Sequence, residues 1–314
     1  LDAGLIIVDE SSMMDMWLAR KFFSRIGPDT KVLLVGDADQ LQSVGAGDVF
    51  RELINCGLIP VTVLNEIFRQ KKDSLIAYNA QKINNNDTSF FYGNDFTVCK
   101  CANQEEAAEH IRNIYLAQVE QYGVDRVQIL SPFRSTGAAS ADQLNEVIRE
   151  LVNPQTEEAD LKVGSLYFRV GDKIMQNKNS TKASNGDIGF IRSFRHDERD
   201  GMRISIQFSP TRVVEYSMEE MGHVELAYAT TVHKAQGSEF DVVIFPLLRS
   251  HARMLTRSLV YTAITRAKAK VILVGQIGML YMAVHKDDTG KRNTQLGRRI
   301  TLYVNTFKVQ KRSA

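Results

Sequence analysis

LIIVDESSMMD (residues 5–15) opens on four aliphatic residues and ends that run on two acids, Asp9 and Glu10. So short an apolar run, bounded by charge, reads as a strand buried on both faces, the kind parallel sheets use. The pattern recurs in KVLLVGD (31–37), VQILSPF (127–133), DVVIFPL (241–247) and KVILVG (270–275), with VTVL (61–64) as a further strand. Between them QEEAAEHIRNIYLAQVEQ (104–121) and DQLNEVIREL (142–151) read as helices. Strands alternating with helices predict an α/β fold with right-handed crossovers.

Residues 163–226 break that rhythm. VGSLYFRVGDKIMQN, NGDIGFIRSF, MRISIQF and RVVEYS are short alternating strands parted by Gly, Asn and Asp turns, which predicts an inserted antiparallel β module. Asn185-Gly186 carries the signal of a hairpin turn. The polar stretch INNNDTSFFYGND (83–95) marks a boundary between two α/β halves.

A chain of 314 residues exceeds what one hydrophobic core serves, so two or more domains are expected. Its composition, 44% apolar and 24% charged, is that of a globular protein. No apolar run approaches the roughly 20 residues of a membrane helix. LDAGLIIVDE has neither signal- nor transit-peptide character and does not begin with Met, so a fragment is expected. Three cysteines, an odd number, argue against a disulfide framework and for a reducing, cytosolic setting. Cys99 and Cys101 share a strand face, but a metal centre needs about four ligands and no second pair stands nearby. The net charge of +2 is uneven: from Lys286 onward eight Lys and Arg face two Asp. Such a tail can touch phosphates, or simply be a solvated terminus.

The chemistry-bearing residues cluster after the apolar runs. Asp9 and Glu10 would stand at the carboxyl end of a strand, where α/β sheets bind ligands and where acids hold Mg²⁺ or orient water. Alone, such a pair reads more often as a solvated turn. In VGDADQLQSVGAGDVF (35–50), Gln40 would lie one strand over, and Gly36, Gly45 and Gly47 permit close backbone approach. LNEIFRQ (64–70) puts Arg69 beyond VTVL, as either a charge-neutralising arginine or a surface one. ATTVHKAQGSEFDVVIF (229–245) offers Thr230, Thr231, His233 and Lys234 for sugar-phosphate contacts, then a polar turn through Gln236, Gly237, Ser238 and Glu239. SLVYTAITRAKAKVILVG (258–275) sets Arg266 at a helix end facing the same sheet.

In this order the segments VDESSM, GDADQLQSV, LNEIFRQ, TVHKAQGSEFDVVI and YTAITRAK resemble motifs II to VI of superfamily 1 (1B) helicases, most closely the RecD-like branch. NGDIGFI and KRNTQL (291–296) fit the same branch, so the resemblance covers nearly the whole chain. It implies tandem RecA-like domains, the first incomplete, with a small Src-homology-like antiparallel β-barrel inserted. Residues 1–85 would be the C-terminal part of the first domain (motifs II to IV). Residues 86–162 and 227–314 would form the second (motifs V and VI), and 163–226 the barrel.

The resemblance also implies roles. Asp9 is similar to the Mg²⁺-associated acid, Glu10 to the base that activates water, and Gln40 to the γ-phosphate sensor. Arg69 and Arg266 resemble two arginine fingers, Gly237 and Glu239 nucleotide-side residues, and Thr231, His233 and Lys234 residues that grip DNA. Gly137 in SPFRSTGAASADQLN (131–145) fits an anion-binding turn before a helix. The implied activity is ATP- and Mg²⁺-dependent, 5′-to-3′ movement on single-stranded DNA and duplex junctions. Recombination or repair subunits are the implied partners and the bacterial cytoplasm the setting. The alternatives are the helicase part of a conjugative relaxase, the α subunit of a multi-subunit exonuclease, and a non-catalytic nucleic-acid-binding module.

Three departures qualify the match. Nothing in the chain reads G-x-x-x-x-G-K-[ST], the phosphate-cradling loop, which is expected upstream of residue 1 and without which these residues alone would not hydrolyse ATP. Gln42 stands where relatives often have Pro, and Ser140 where they often have Gly.

Overall fold

The computed structural model describes all residues except 1, 65–73, 157–159, 198–200, 288–291, 293 and 313–314, with side chains to residue 306. Strand β1 (Leu5–Val8) pairs in parallel with β2 (Lys31–Leu34), Leu5 opposite Lys31 and Val8 opposite Leu34. The connection runs through α1 (Met16–Phe23), whose first turn is capped by Asp15 accepting the Leu18 N–H at 2.7 Å. Helix α2 (Val49–Asn55) completes this unit, and Met14, Ala19 and Val49 form a small core with Val8, Phe22 and Leu53.

Burial on both faces, expected of β1 and β2, is not found. Strand alternation puts Leu5 and Ile7 on one face with Leu33, and all three are exposed, while Ile6, Val8, Val32 and Leu34 are half-buried on the other. The unit's small core covers one side of a two-stranded sheet, and among the described residues nothing buries the other. VTVL forms no strand either: Val61–Leu64 are all exposed, and among the described residues no ladder pairs with them. Apolar letters do not make a strand without a partner for the backbone N–H and C=O groups.

The chain continues through α3 (Leu75–Asn84), β3 (Phe96–Lys100), α4 (Gln104–Tyr122), β4 (Val127–Ser131) and α5 (Ala141–Val152). Seven strands follow: β5 (Leu161–Val163), β6 (Leu166–Phe168), β7 (Lys173–Gln176), β8 (Ile188–Asp197), β9 (Gly201–Ser209), β10 (Arg212–Ser217) and β11 (Val224–Leu226). The last stretch holds β12 (Ala229–Thr231), β13 (Phe240–Leu247), α6 (Arg257–Thr265), β14 (Ala267–Gly275), α7 (Ile277–His285) and α8 (Leu296–Arg312).

Strands β12, β4, β13, β14 and β3 form, in that order, a wholly parallel sheet. Val243, Phe245 and Leu247 of β13 enter the core shared with α3, α6 and α7, whereas Val242 and Ile244 enter the core under α4 and α5. A sheet covered on both faces needs uninterrupted apolar strands, and here the sequence expectation holds.

The inserted module is an antiparallel sheet ordered β10-β9-β8-β7-β11. Phe168, Ile174, Ile191, Ile204, Ile206, Tyr216 and Val224 share one core within it. Asn185-Gly186 does not make a two-residue hairpin. The β7–β8 connection spans residues 177–187, and Gly186 (φ 94°) donates its N–H to Gln176 O at 2.8 Å. Asn179 Oδ1 accepts the Asn185 N–H at 2.8 Å, so the intervening loop folds on its own side chains.

A buried polar joint ties module to sheet. The fully buried Asp172 carboxylate accepts from Arg149 Nε (3.1 Å), Asn153 Nδ2 (2.9 Å), Tyr228 OH (3.2 Å) and Arg169 N (2.7 Å). Beside it Lys173, also fully buried, donates its Nζ to Val124 O and Val127 O, both at 2.9 Å. Helix α8 then returns to the first unit: Leu296 packs on the Met14–Ala19–Val49 core, and Gly297 N donates to Glu52 Oε2 at 2.8 Å.

Candidate active site

Asp9 and Glu10 stand where β1 ends. Asp9 is exposed and its Oδ1 accepts the Glu10 N–H at 2.8 Å. Glu10 has φ 49° and ψ 40°, left-handed backbone that a non-glycine residue adopts at a cost of about 1–3 kcal/mol. The chain is held there on both sides: Ser11 N donates to Val35 O and Ser11 Oγ to Val8 O, each at 2.8 Å. Gly36 lets this turn lie against the end of β2, since a Cβ there would come within 3.1 Å of Ser11 N and Ser12 N.

From Gly36 the chain enters a loop that bridges to the second unit, the parallel sheet β12-β4-β13-β14-β3 with its covering helices. Asp37 Oδ2 accepts both Gln40 Nε2 (3.2 Å) and, from α6, Tyr261 OH (2.9 Å). Leu41 N donates to Thr262 Oγ1 at 2.8 Å, and Leu41 O accepts Gln236 Nε2 at 2.9 Å. The Leu41 side chain is buried in the same core as Val232, Ala235, Leu259 and Ala263. Gln40 is itself buried, and its Oε1 has no hydrogen-bond partner. A buried acceptor left unmet is costly, which marks this atom as one awaiting a donor. Burial raises the Asp39 carboxyl pKa, with the nearby Asp37 charge adding to the rise.

Arg266 follows α6 and is almost completely buried, with Nη1 donating to Ser238 O at 3.4 Å. It thereby touches the turn that holds Gly237 (φ 78°, exposed) and Glu239, whose Oε2 pairs with Lys268 Nζ at 2.9 Å. These residues precede β13 and β14 and so lie at the amino edge of the second sheet. Thr231 ends β12 opposite Ser131 of β4, at the carboxyl edge. His233 and Lys234 follow it, both half-buried, and the Lys234 ammonium pairs with Glu225, which also accepts from Arg134 Nη2 at 3.3 Å. Gly137 (φ 89°) lies in the turn after β4, packed so tightly on Gln104 that a Cβ would meet Oε1 at 2.2 Å.

The candidate residues thus fall into two groups. Gln40 and the loop after β2 meet the Gln236 turn and the α6 face that precedes Arg266. Thr231, His233, Lys234 and Gly137 gather at the opposite edge of the second sheet. Arg69 lies outside the described residues.

Three family models match the chain in order: an AAA domain over residues 2–97, an ATP-dependent RecD-like DNA helicase SH3 domain over 144–208, and a UvrD-like helicase C-terminal domain over 226–274. It is 32% identical over 298 residues to the ATP-dependent RecD2 DNA helicase of Deinococcus radiodurans, covering 94% of this chain and 39% of that protein. It is 29% identical over 311 residues to the RecBCD enzyme subunit RecD of Mycolicibacterium smegmatis, covering 91% of this chain and 52% of that subunit. The chain belongs to the RecD-like helicase family.

This RecD-like chain spans about half or less of the length of those two relatives. Its fold is also that of solved Pif1 helicases. One, from Bacteroides in complex with ADP-AlF3 and ssDNA, matches at TM-score 0.53 and 16% identity over 86% of this chain and 70% of that one. Another, from Candida albicans, matches at TM-score 0.53 and 17% identity over 97% and 76%. Among the described residues no helix is long and apolar enough to cross a membrane.

Sequence reasoning missed three participants of the RecD-like seam, Asp37, Tyr261 and Thr262, and read Gln236 only as part of a polar turn. Each stands inside a string that carries the family resemblance, GDADQ, HKAQG or YTAITR. What the strings lack is the pairing itself, because Asp37–Tyr261 and Leu41–Thr262 join residues more than 200 positions apart.

Proposed function

We propose that the full-length protein is an ATP-dependent DNA helicase or translocase that moves 5′ to 3′ on single-stranded DNA. The observation that carries the reading is the seam in which Asp37, Gln40 and Leu41 of the first unit engage Gln236, Tyr261 and Thr262 of the second. A motor that gates hydrolysis by domain closure needs its sensor loop in contact with both domains. We read residues 1–85 as part of a first RecA-like domain whose last helix, α3, packs into the core of the second, 86–162 with 227–314 as the second, and 163–226 as an inserted barrel.

The residues fit a Mg²⁺-nucleotide. Asp9 presents an exposed carboxylate at a strand's carboxyl end and would hold Mg²⁺ through water. The unmet Gln40 Oε1 and the strained Glu10 backbone are features of a loop shaped for a ligand. Bound ATP supplies the phosphoanhydride whose hydrolysis drives movement. Glu10 orients and deprotonates the attacking water at its carboxylate, and Gln40 senses the terminal phosphate. Arg266, with Arg69, neutralises charge arising there, and Gly237 and Glu239 flank the nucleotide. Thr231, His233, Lys234 and Gly137 hold the single strand, with duplex junctions as its natural ends. Recombination or repair subunits are the partners, in the bacterial cytoplasm.

The test is ATP hydrolysis by the full-length protein with and without single-stranded DNA. We expect strong stimulation by DNA, binding that weakens steeply with salt as counterions are released, and a Glu10→Gln turnover lower by a factor on the order of hundreds. Near-normal turnover in Glu10→Gln would remove that residue from its role, and absence of DNA stimulation would refute the motor.

A further inference from the structure

The loop after Gln40 turns the carbonyls of Ser43, Gly45 and Gly47 toward one point, and an arginine from the far end of the chain occupies it. Arg292 Nη1 donates to Gly45 O (2.7 Å), Gly47 O (2.6 Å) and Ser43 Oγ (3.2 Å), while Nη2 donates to Ser43 O. Ser43 is buried, so these are not solvent-screened surface contacts. On its other side the same loop is pressed against the start of α1. Ala46 O accepts the Met16 N–H at 2.9 Å, and a Cβ on Gly45 would overlap Asp15 Oδ2 at 2.0 Å. The loop is therefore clamped between the α1 N-terminus and the Arg292 guanidinium.

Thr294 bonds back to Arg292 and on to the start of α8. Thr294 N donates to Arg292 O at 2.9 Å, and Thr294 Oγ1 accepts from Leu296 N at 3.4 Å. Leu296 then enters the first unit's core, and Gly297 N bonds Glu52. Arg292 and the Leu296–Gly297 start of α8 thus both hold to the first unit. A planar fork suits the task because it satisfies several carbonyls at once, which a lysine ammonium cannot match in geometry. Three backbone acceptors aimed at one cation make the loop's shape dependent on that cation being present.

We propose that Arg292 is a positioning residue for Gln40, holding in shape the Ser43–Gly47 loop that follows it. Arg292 touches the loop and not the reacting atoms, so it acts through Gln40. The proposal rests on the motor reading given above.

Two measurements test it, one independent of that reading. In this chain, Arg292→Ala should cut hydrogen-exchange protection of the Met16 amide by about tenfold or more, the scale of losing a charged hydrogen-bond set. Amides of β13 should be unchanged. Arg292→Lys should restore only part of the protection. Unchanged Met16 protection in Arg292→Ala overturns the clamp, whatever the protein's activity. In the full-length protein, Arg292→Ala should lower DNA-stimulated kcat about tenfold with little change in KM or single-strand affinity. In a Gln40→Ala background the same substitution should add no further loss. Additive losses, or a Leu296→Ala variant that reproduces every effect of Arg292→Ala, would reduce the arginine to a staple for α8 and refute the positioning role. A wild-type protein without ATPase refutes the motor reading and leaves the amide-exchange result to decide the clamp.

Discussion

Replacing Thr262 by Val should open the contact between the two units at a cost that the structure sets. The substitution keeps a β-branched side chain of nearly the same shape at a fully buried position and removes one acceptor, the Oγ1 that receives Leu41 N at 2.8 Å. Leu41 is 6% exposed, so water does not readily replace the lost partner while the units stay together. A buried donor left unmet costs about 1–3 kcal/mol. The bond crosses between units, so the penalty falls on the closed arrangement, where it equals roughly a 5- to 150-fold shift in the opening equilibrium. Amide hydrogen exchange reads this directly. In Thr262→Val the Leu41 amide should lose protection by a factor within that range, while the Val243 and Ile244 amides, inside the second sheet, should keep theirs. Equal loss at all three would mean the variant had destabilised the second unit as a whole. Unchanged protection at Leu41 would mean that the loop is held by its own contacts, and the seam argument would fail.

Arg149→Met should destabilise the second unit by about 3–5 kcal/mol in urea titrations, because it strands the fully buried Asp172 carboxylate. Burial already raises the Asp172 pKa, so the deficit should shrink toward acid pH, and a loss below about 1 kcal/mol at neutral pH would contradict the joint as described. Burial also pushes the Lys173 ammonium from 10.5 down to about 7. Between those values the unfolded chain binds the proton and the folded one does not, so stability should rise with pH across that window, by about 3 kcal/mol from pH 7 to 9.5. Lys173→Met should remove that slope, and a slope that persists would assign it to another group.

The parallel sheet was legible because its chemistry is local. Strands covered on both faces must be largely apolar, and VVIFPL and VILV state that in their own letters, while the buried Gln128 of VQIL is met by the Ala227 and Tyr228 carbonyls. LIIV and KVLL carry the same letters, yet Leu5, Ile7 and Leu33 are exposed. Burial there depends on what covers the strand, which no strand encodes. VTVL fails for the same reason, since pairing is a property of two segments. Asn185-Gly186 gave a turn in the right connection but not its length, because Asn179 supplies a side-chain acceptor that enlarges the loop. At the candidate site the strings held the residues, and topology alone brought Asp37 to Tyr261. Arg292 illustrates the limit: KRNTQL is visible as a string, but its role comes from loop carbonyls some 245 positions earlier.

Because the second sheet is parallel throughout, the ends of its strands sort the candidate residues without reference to any side-chain contact. Thr231 closes β12 at the carboxyl edge, whereas Glu239 and Arg266 stand immediately before β13 and β14 at the amino edge. The segment from Val232 to Glu239 must therefore run the length of the sheet, carrying His233 near one end and Gly237 near the other. It is pinned on the way: Val232 and Ala235 are fully buried, and Gln236 donates to Leu41 O of the first unit. A change at the seam therefore meets this segment at Gln236, between the two groups. It reaches His233 through a short run of backbone rather than through the stiff sheet, and Ala235 N, hydrogen-bonded to Thr231 O at 3.2 Å, joins that short path to the strand's end. A closed seam and a displaced Gln236 turn are thus mutually exclusive unless Leu41 moves as well. That is the geometric condition for the residues around Arg266 and those around Thr231 to respond to one another.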